Sequence, residues 1–156
     1  DRDGRPLADP DTARWLAAEV LPAATAAARD DDDDPEFWSA LPARLRGPAR
    51  GDALAEAQRR IATSPSEHVR SHRRLALAEA CERAGEALAA ACFAALADDL
   101  RALTVERYDP DLAARCLAGL ARAQAHPHAL RELVVRLARL DPAAAAVVLH
   151  EPPARA

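Results

Sequence analysis

The sequence contains neither lysine nor methionine, and it is poor in aromatic residues. All 21 basic residues are therefore arginine, and arginine together with abundant alanine and proline indicates a GC-rich genome, such as that of an actinobacterium or of a large DNA virus. Since the first residue is Asp1 and not methionine, we expect the chain to be a segment of a longer protein. The first residues also lack the character of a signal peptide.

Cysteines and long apolar runs are scarce as well. Only Cys81, Cys92 and Cys116 are present, an odd number that builds no closed disulfide framework, and all three lie within helical patterns. No apolar run reaches the roughly 18 residues that a membrane-spanning helix needs. We therefore expect an intracellular, cytoplasmic protein in a reducing compartment, without membrane contact; in the viral case the compartment is the host cell.

Alanine fills 42 of the 156 positions, while β-branched residues are few. Alanine has the highest helix propensity, and β-branched side chains lose rotamer freedom in helices, so the composition predicts an all-α fold. Half of the residues are apolar, which argues against a disordered chain, and the length suits a single helical domain over 1–156. Small side chains bury little surface, at about 25 cal/mol per Å², so we expect additional cover from a partner.

Helix starts are marked by a capping side chain followed by proline. Aspartate or serine at the N-cap accepts a backbone N–H bond, and proline loses no bond at the next position because that nitrogen has no acceptor there. The pair occurs at Asp9-Pro10, Asp34-Pro35, Ser64-Pro65, Asp109-Pro110 and Asp141-Pro142. Glu67 adds a capping box to the Ser64 start, while His126-Pro127 and Asp52 mark weaker starts.

The N-terminal region, residues 1–63, is divided by these starts into short helices around an acidic loop at 30–34. The predicted helices cover 10–29, 35–46 and 52–62. Proline lacks an N–H group and clashes with the preceding turn, so we expect a kink at Pro22 in the first helix and a bend at Pro42 in the second.

An apolar stripe dominates the centre of the sequence. Between Pro65 and about residue 106 there is no further proline, and apolar residues recur about every 3.7 positions, close to the period of a straight helix. We therefore predict one long central helix within residues 64–107, roughly 60 Å in length at 1.5 Å per residue. Such a helix would extend beyond its neighbours and meet another chain in a coiled-coil-like contact. The residues predicted to bind that partner are Leu77, Leu88, Leu96, Leu100 and Leu103.

Residues 109–150 carry two further amphipathic helices, 110–125 and 127–140, followed by a last short helix. The short connection between them predicts an antiparallel hairpin. The expected fold is an all-α, elongated and irregular bundle of about six helices around the long helix at 65–106. The 32-residue step between the two Asp-Pro pairs of this region leaves one alternative open, a short α-solenoid of helical hairpins.

Residues that could carry chemistry are few and lie in ordinary helical contexts. His68 and His72 are four residues apart and share one helix face, which is a metal-binding spacing. Only Glu67 could complete a site from nearby in the sequence, and the neighbouring arginines would repel a cation, so we predict no metal site. The chain lacks glycine-rich phosphate loops and the common hydrolase and metalloprotease motifs. We also predict no catalytic residue, no cofactor and no small-molecule substrate.

Charge is distributed unevenly along the chain. Residues 1–41 hold 11 acidic and 4 basic residues, whereas residues 42–74 hold 3 acidic and 8 basic residues. The basic segment could contact phosphates through a patch of Arg59, Arg60, Arg70, Arg73 and Arg74. Because the whole chain is acidic and no aromatic residues interleave with these arginines, we favour pairing of the basic segment with the acidic one, within the chain or in a second copy.

These features predict a non-enzymatic structural module of a larger intracellular protein. It would act as a scaffold that binds protein partners and self-associates through its helices, as a homodimer. Two settings stay open: a segment of a viral tegument or other viral structural protein, and a bacterial regulatory helical domain. The alternative function is an accessory nucleic-acid-binding domain that uses the Arg-rich segment 42–74.

Overall fold

Helices account for most of the chain that the structure describes. The structure is a computed structural model, and it describes residues 9–15, 18, 34–124 and 126–150. The α-helices are α1 (Pro10–Trp15), α2 (Pro35–Leu45), α3 (Arg50–Ala62), α4 (Glu67–Ala84), α5 (Leu88–Ala102), α6 (Pro110–Arg122), α7 (Pro127–Leu140) and α8 (Pro142–His150), with a 3-10 turn at Val105–Arg107. No strand occurs within the described ranges, so the all-α fold is confirmed. None of these helices is long and apolar enough to span a bilayer.

The N-terminal unit, residues 1–34, is described mainly at α1. The backbone N–H groups of Asp11 and Thr12 both donate to Oδ1 of Asp9, each at 3.0 Å. This N-cap confirms the predicted start of the first helix. The rest of that predicted helix, its kink at Pro22 and the acidic loop at 30–34 lie outside the described residues, apart from the last aspartate of the loop.

In the second unit, residues 35–156, aspartate–proline pairs again begin helices. Oδ1 of Asp109 accepts from the N–H of Leu112 at 3.0 Å at the start of α6, and Oδ1 of Asp141 accepts from the N–H of Ala144 at 2.9 Å at the start of α8. Helices α2 and α7 also begin at their predicted prolines. The predicted starts are therefore confirmed. They can be predicted from the sequence because a capping hydrogen bond joins residues only three positions apart and does not depend on tertiary contacts.

Two helix starts differ from the prediction. Helix α4 begins at Glu67, two residues later than predicted, and its N-cap is Ser66, whose hydroxyl accepts from the N–H of Val69 at 3.2 Å. The hydroxyl of Ser64 instead donates to the carbonyl of Arg60 at the end of α3, at 3.3 Å, so it closes one helix and does not open the next. Helix α3 begins two residues earlier than predicted.

The single long helix predicted for residues 64–107 is wrong. The chain leaves α4 at Gly85, which has a φ of 76°, and starts α5 three residues later. The N–H groups of Gly85 and Glu86 donate to the carbonyls of Glu82 and Cys81 at 3.0 and 2.9 Å, which satisfies the last carbonyls of α4. A left-handed residue ends a helix, and glycine adopts that conformation without a steric penalty.

Helix α5 runs back along α4 as the second arm of a hairpin. Arg74 of α4 pairs with Asp99 of α5, and Cys81 of α4 lies beside Cys92 of α5. Moving seven residues forward along α4 therefore moves the contact seven residues back along α5, which is an antiparallel arrangement. The apolar stripe that predicted one long helix faces itself across this hairpin.

The main core lies between α2, α3, α4 and α5, with the start of α6 added to it. Its fully buried large side chains include Leu41, Leu45, Leu75, Phe93, Leu96 and Leu112. Buried alanines on α3 and α4 let these helices approach closely, as expected from the composition. These helices pack around a common core, so the predicted helical bundle is confirmed.

A second apolar cluster joins α6, α7 and α8. Leu117 of α6 and Leu137 of α7 are buried at its centre, and Ala145 and Val148 of α8 cover one side. Leu120 contacts both this cluster and the main core. Helix α6 therefore connects the two cores, with one face packed on each.

Helix α6 approaches the main core closely at Gly119. A Cβ atom built there would lie 2.3 Å from two atoms of the Phe93 ring, which is itself fully buried. We expect Gly119→Ala to lower the free energy of unfolding by about 1–3 kcal/mol, because the buried ring has no room to move away. The measurement is urea denaturation followed by circular dichroism.

Gly51→Ala is the matched control for that substitution. Gly51 also lies in a helix, but a Cβ atom there would meet nothing within 4 Å. Alanine has the higher helix propensity, so this variant should be neutral or more stable by up to about 1 kcal/mol. Equal stability of the two variants would contradict the described packing of Phe93 on α6.

Candidate functional site

A groove runs along the surface between α3, α4 and α5, and we call it the α3–α5 groove. Its volume is about 470 Å³. Most of its lining is apolar, and the side chains that shape it are Ile61, Leu77, Leu88, Ala91 and Ala95. Alanines on the α5 side leave space that larger side chains would fill. The groove therefore offers a concave apolar surface of the kind that binds a helix or an extended segment.

Two arginines line the groove beside these apolar residues. Arg70 pairs with Glu67 one turn earlier on α4, and Arg74 pairs with Asp99 across the hairpin. Both guanidinium groups are partly exposed, so their attraction to the carboxylates is screened by solvent. These pairs hold the arginine stems against the helices, and the stems extend the apolar surface of the groove.

Cys92 lies on the α5 side of the groove, where it faces Cys81 of α4. The hydrogen bond from the Cys81 thiol stabilises the Cys92 thiolate and, with the nearby Arg74 charge, lowers the pKa of Cys92 to about 7 despite partial burial. The same bond, together with burial, raises the pKa of Cys81. Burial raises the pKa of Cys116 to about 12. The three cysteines, which share a helical context in the sequence, thus differ in their environments.

The five leucines predicted to bind a partner fall into two groups. Leu77 and Leu88 line the α3–α5 groove, and Leu103 is exposed at the end of α5. Leu96 and Leu100 are core residues, with 0% and 3% exposure, so their predicted role at an interface needs correction. The physical reason is the reversal at Gly85, which turns that part of the stripe onto the chain's own helices.

The predicted basic patch is not a continuous cationic surface. Arg59 and Arg60 both pair with Glu56 on α3. Arg73 is buried, and its guanidinium donates to the carbonyl of Arg60 at 2.9 Å and to the hydroxyl of Ser64 at 3.3 Å. The other two members, Arg70 and Arg74, pair with carboxylates at the groove. Each arginine of the patch thus has a partner within the bundle.

Ion pairs between helices, which the sequence did not reveal, connect α4 to α6. Arg115 is bidentate to Glu79, with its shortest contact at 2.8 Å. Arg122 is likewise bidentate to Glu82, with both bonds at 2.8 Å. The two arginines are seven residues apart, so they share one face of α6, and the two glutamates are three residues apart, so they share one face of α4. No local pattern could identify these pairs, because each joins residues about 40 positions apart.

A histidine–aspartate cluster lies where α4 meets the start of α6. His68 and His72 share one face of α4, with ring centroids 4.5 Å apart, and both face Oδ2 of Asp109. The distance to Oδ2 is 2.9 Å from Nε2 of His72 and 3.7 Å from Nδ1 of His68. Burial alone would raise the pKa of Asp109, but hydrogen bonds from the Leu112 N–H and from His72 lower it overall. The sequence analysis missed Asp109 as a neighbour of these histidines because it follows them by about 40 residues.

A second exposed apolar surface lies on α8. The helix has the sequence PAAAAVVLH, and only Ala145 and Val148 are buried. Val147 and Leu149 are 52% and 63% exposed. A helix that is apolar on all sides is usually covered on all sides, so the outer face of α8 is a further candidate for contact.

The lowered pKa of Cys92 predicts selective alkylation. The rate of iodoacetamide modification at Cys92 should rise through about pH 7, whereas Cys116 should stay nearly unreactive up to pH 9. Mass spectrometry of the modified peptides over a pH series measures both rates. Cys81→Ala removes the hydrogen-bond donor and should move the Cys92 midpoint towards the ordinary thiol value, while Cys81→Ser keeps a donor and should move it less. An unchanged midpoint in Cys81→Ala would contradict the described pair.

Comparison with known proteins gives one match. A protein-family model described as "Type VI secretion, EvfE, EvfF, ImpA, BimE, VC_A0119, VasJ" matches residues 2–120, whereas no curated protein and no solved structure matches. The matched range includes the α3–α5 groove and ends inside α6. The family match gives no support to the predicted viral tegument setting, to the predicted GC-rich genome or to nucleic-acid binding. Because the match spans more than half of the chain, the chain belongs to this type VI secretion family.

Proposed function

We propose that the chain is a non-enzymatic scaffold module of the type VI secretion machinery and that its protein partner is a second copy of itself. Family membership supports the setting. The observation that carries the partner is the presence of two exposed apolar surfaces on one chain, the concave α3–α5 groove and the convex outer face of α8. Exposed apolar surfaces of this kind mark sites of association.

The occupant that we propose for the groove is α8 of the second copy. The exposed side chains of α8 include valine, leucine and alanines, and the groove presents Leu77, Leu88 and small alanines. Reciprocal insertion, with each α8 in the groove of the other chain, would bury both surfaces in a closed two-fold dimer. In such a dimer both grooves and both α8 helices would be covered, so a third chain could not add to them.

The proposed self-association uses exposed surface residues and not the long central helix that the sequence predicted. The predicted overhang of a long central helix does not exist, because the chain reverses at Gly85. The proposal now depends on residues that the structure leaves exposed within the described ranges, with Leu88 at 43% and Leu149 at 63%. Leu88 belongs to the predicted interaction set, and Leu149 does not.

Ion pairs between helices support a scaffold role. Glu79, Glu82 and Glu106 pair with arginines on other helices, so these carboxylates are engaged in contacts between helices. The cysteines of the described residues are free, which suits a reducing compartment, and we place the protein inside the bacterial cell. Nucleic-acid binding is less well supported, since the arginines of the predicted patch are engaged within the bundle.

Glutamate substitutions at the two surfaces test the proposal. Sedimentation equilibrium should give the wild-type chain a mass that rises towards twice the monomer mass with concentration. Leu88→Glu and Leu149→Glu should each weaken the association at least about tenfold, because the buried carboxylate loses its hydration while the groove arginines already pair with Glu67 and Asp99. Circular dichroism should show both variants folded, since both residues are exposed in the single chain.

Val135→Glu is the matched control. Val135 is 52% exposed on α7 and lies outside both surfaces, so this variant should associate like the wild type. A wild-type chain that stays monomeric at all concentrations would overturn the second copy as partner. Association that both Leu88→Glu and Leu149→Glu leave unchanged would overturn the assignment of the two surfaces.

A further inference from the structure

We propose that His68, His72 and Asp109 form a binding site for a divalent transition-metal ion of the zinc type. One ligand atom from each of His68, His72 and Asp109 lies within 4.8 Å of the other two. Imidazole nitrogens and a carboxylate oxygen are ordinary ligands of zinc. The site is independent of the α3–α5 groove and of the proposed association.

The three ligand atoms are already close to the spacing that coordination needs. Bonds of about 2.0–2.1 Å in a tetrahedral site place ligand atoms about 3.3 Å apart. Oδ2 of Asp109 lies 2.9 Å from His72 and 3.7 Å from His68, on either side of that value. The third pair, between the two histidines, lies within 4.8 Å, so rotations of the side chains would bring the ligand atoms towards that spacing.

The backbone holds each ligand in place. His68 and His72 are one helical turn apart within α4, so their rings lie on the same face. Asp109 is the N-cap of α6, and its Oδ1 accepts the N–H of Leu112 while Oδ2 faces the histidines. A carboxylate that is fixed through one oxygen and free to bind through the other is typical of supported metal ligands.

The arginines near the histidines, which led us to predict no metal site, all have partners in the structure. Arg70 is paired with Glu67, and Arg74 with Asp99. Arg73 is buried against the end of α3, where it donates to the Arg60 carbonyl. Their charges are therefore balanced or directed elsewhere, and Asp109 supplies the negative charge that the sequence analysis did not find near the histidines.

The ligand set also predicts which ion binds and what binding does. Two nitrogens and one carboxylate oxygen favour zinc, cobalt, nickel or copper over magnesium and calcium, which prefer oxygen ligands. Three protein ligands leave one position for water, and the histidines are partly exposed, so an ion can enter from solvent. On binding, each imidazole keeps its single proton on the ring nitrogen that does not coordinate. The ion would tie α4 to the start of α6.

Calorimetric titration of the full chain tests the site. The chain is treated with EDTA, exchanged into metal-free buffer and titrated with zinc chloride. We expect one ion per chain, a higher Tm with zinc than without it, and at least about tenfold weaker binding in His72→Ala and in Asp109→Asn. Asparagine still caps a helix, so the second variant keeps the start of α6 intact. The visible spectrum of the cobalt(II) form should show nitrogen and oxygen ligands without thiolate charge-transfer bands.

Two control variants address the other groups that could hold zinc. His128→Ala removes an exposed histidine that faces Glu132 one turn away on α7, and Cys92→Ser removes the thiol with the lowest pKa. Both should bind zinc like the wild type. The proposal is overturned if the wild type binds no zinc, if His72→Ala and Asp109→Asn bind it unchanged, or if Cys92→Ser abolishes binding.

Discussion

The reversal of the chain at Gly85 is the constraint on which the second unit depends. Its φ of 76° ends α4, and two backbone hydrogen bonds close the helix just before the turn. A residue with a Cβ atom in that conformation would be strained by about 1–2 kcal/mol. Because the turn to α5 is only three residues long, α5 has to run back beside α4, and one stripe of apolar residues becomes two facing seams.

The α3–α5 groove and the histidine–aspartate cluster both follow from that hairpin. The α3–α5 groove exists because α5 lies next to α4, with Cys92 brought to Cys81 and Asp99 to Arg74. The return of α5 also brings the start of α6 to the N-terminal half of α4, where Asp109 meets the two histidines. A continuous helix would separate Cys81 from Cys92 by about 17 Å and Arg74 from Asp99 by about 38 Å.

The sequence predicts those parts of the fold that depend on neighbouring residues. Capping aspartates followed by proline mark the starts of α6 and α8 correctly, and alanine content predicts the all-α class. The helix break is missed because apolar residues keep a helical period across Gly85, and a lone glycine is also tolerated inside helices. The sequence predicts only part of the histidine–aspartate cluster. The four-residue spacing of His68 and His72 is local, whereas Asp109 comes close to them only in the tertiary fold.

The most direct test of this account is a distance between the far ends of α4 and α5. Spin labels at Glu67 and Arg101, both exposed, can be introduced after the native cysteines are replaced, and pulsed electron paramagnetic resonance then measures their separation. Antiparallel helices packed 8–10 Å apart predict a distance below about 25 Å, including the label linkers. A continuous helix over the same 34 residues would give about 50 Å, and that result would contradict the hairpin and the sites built on it.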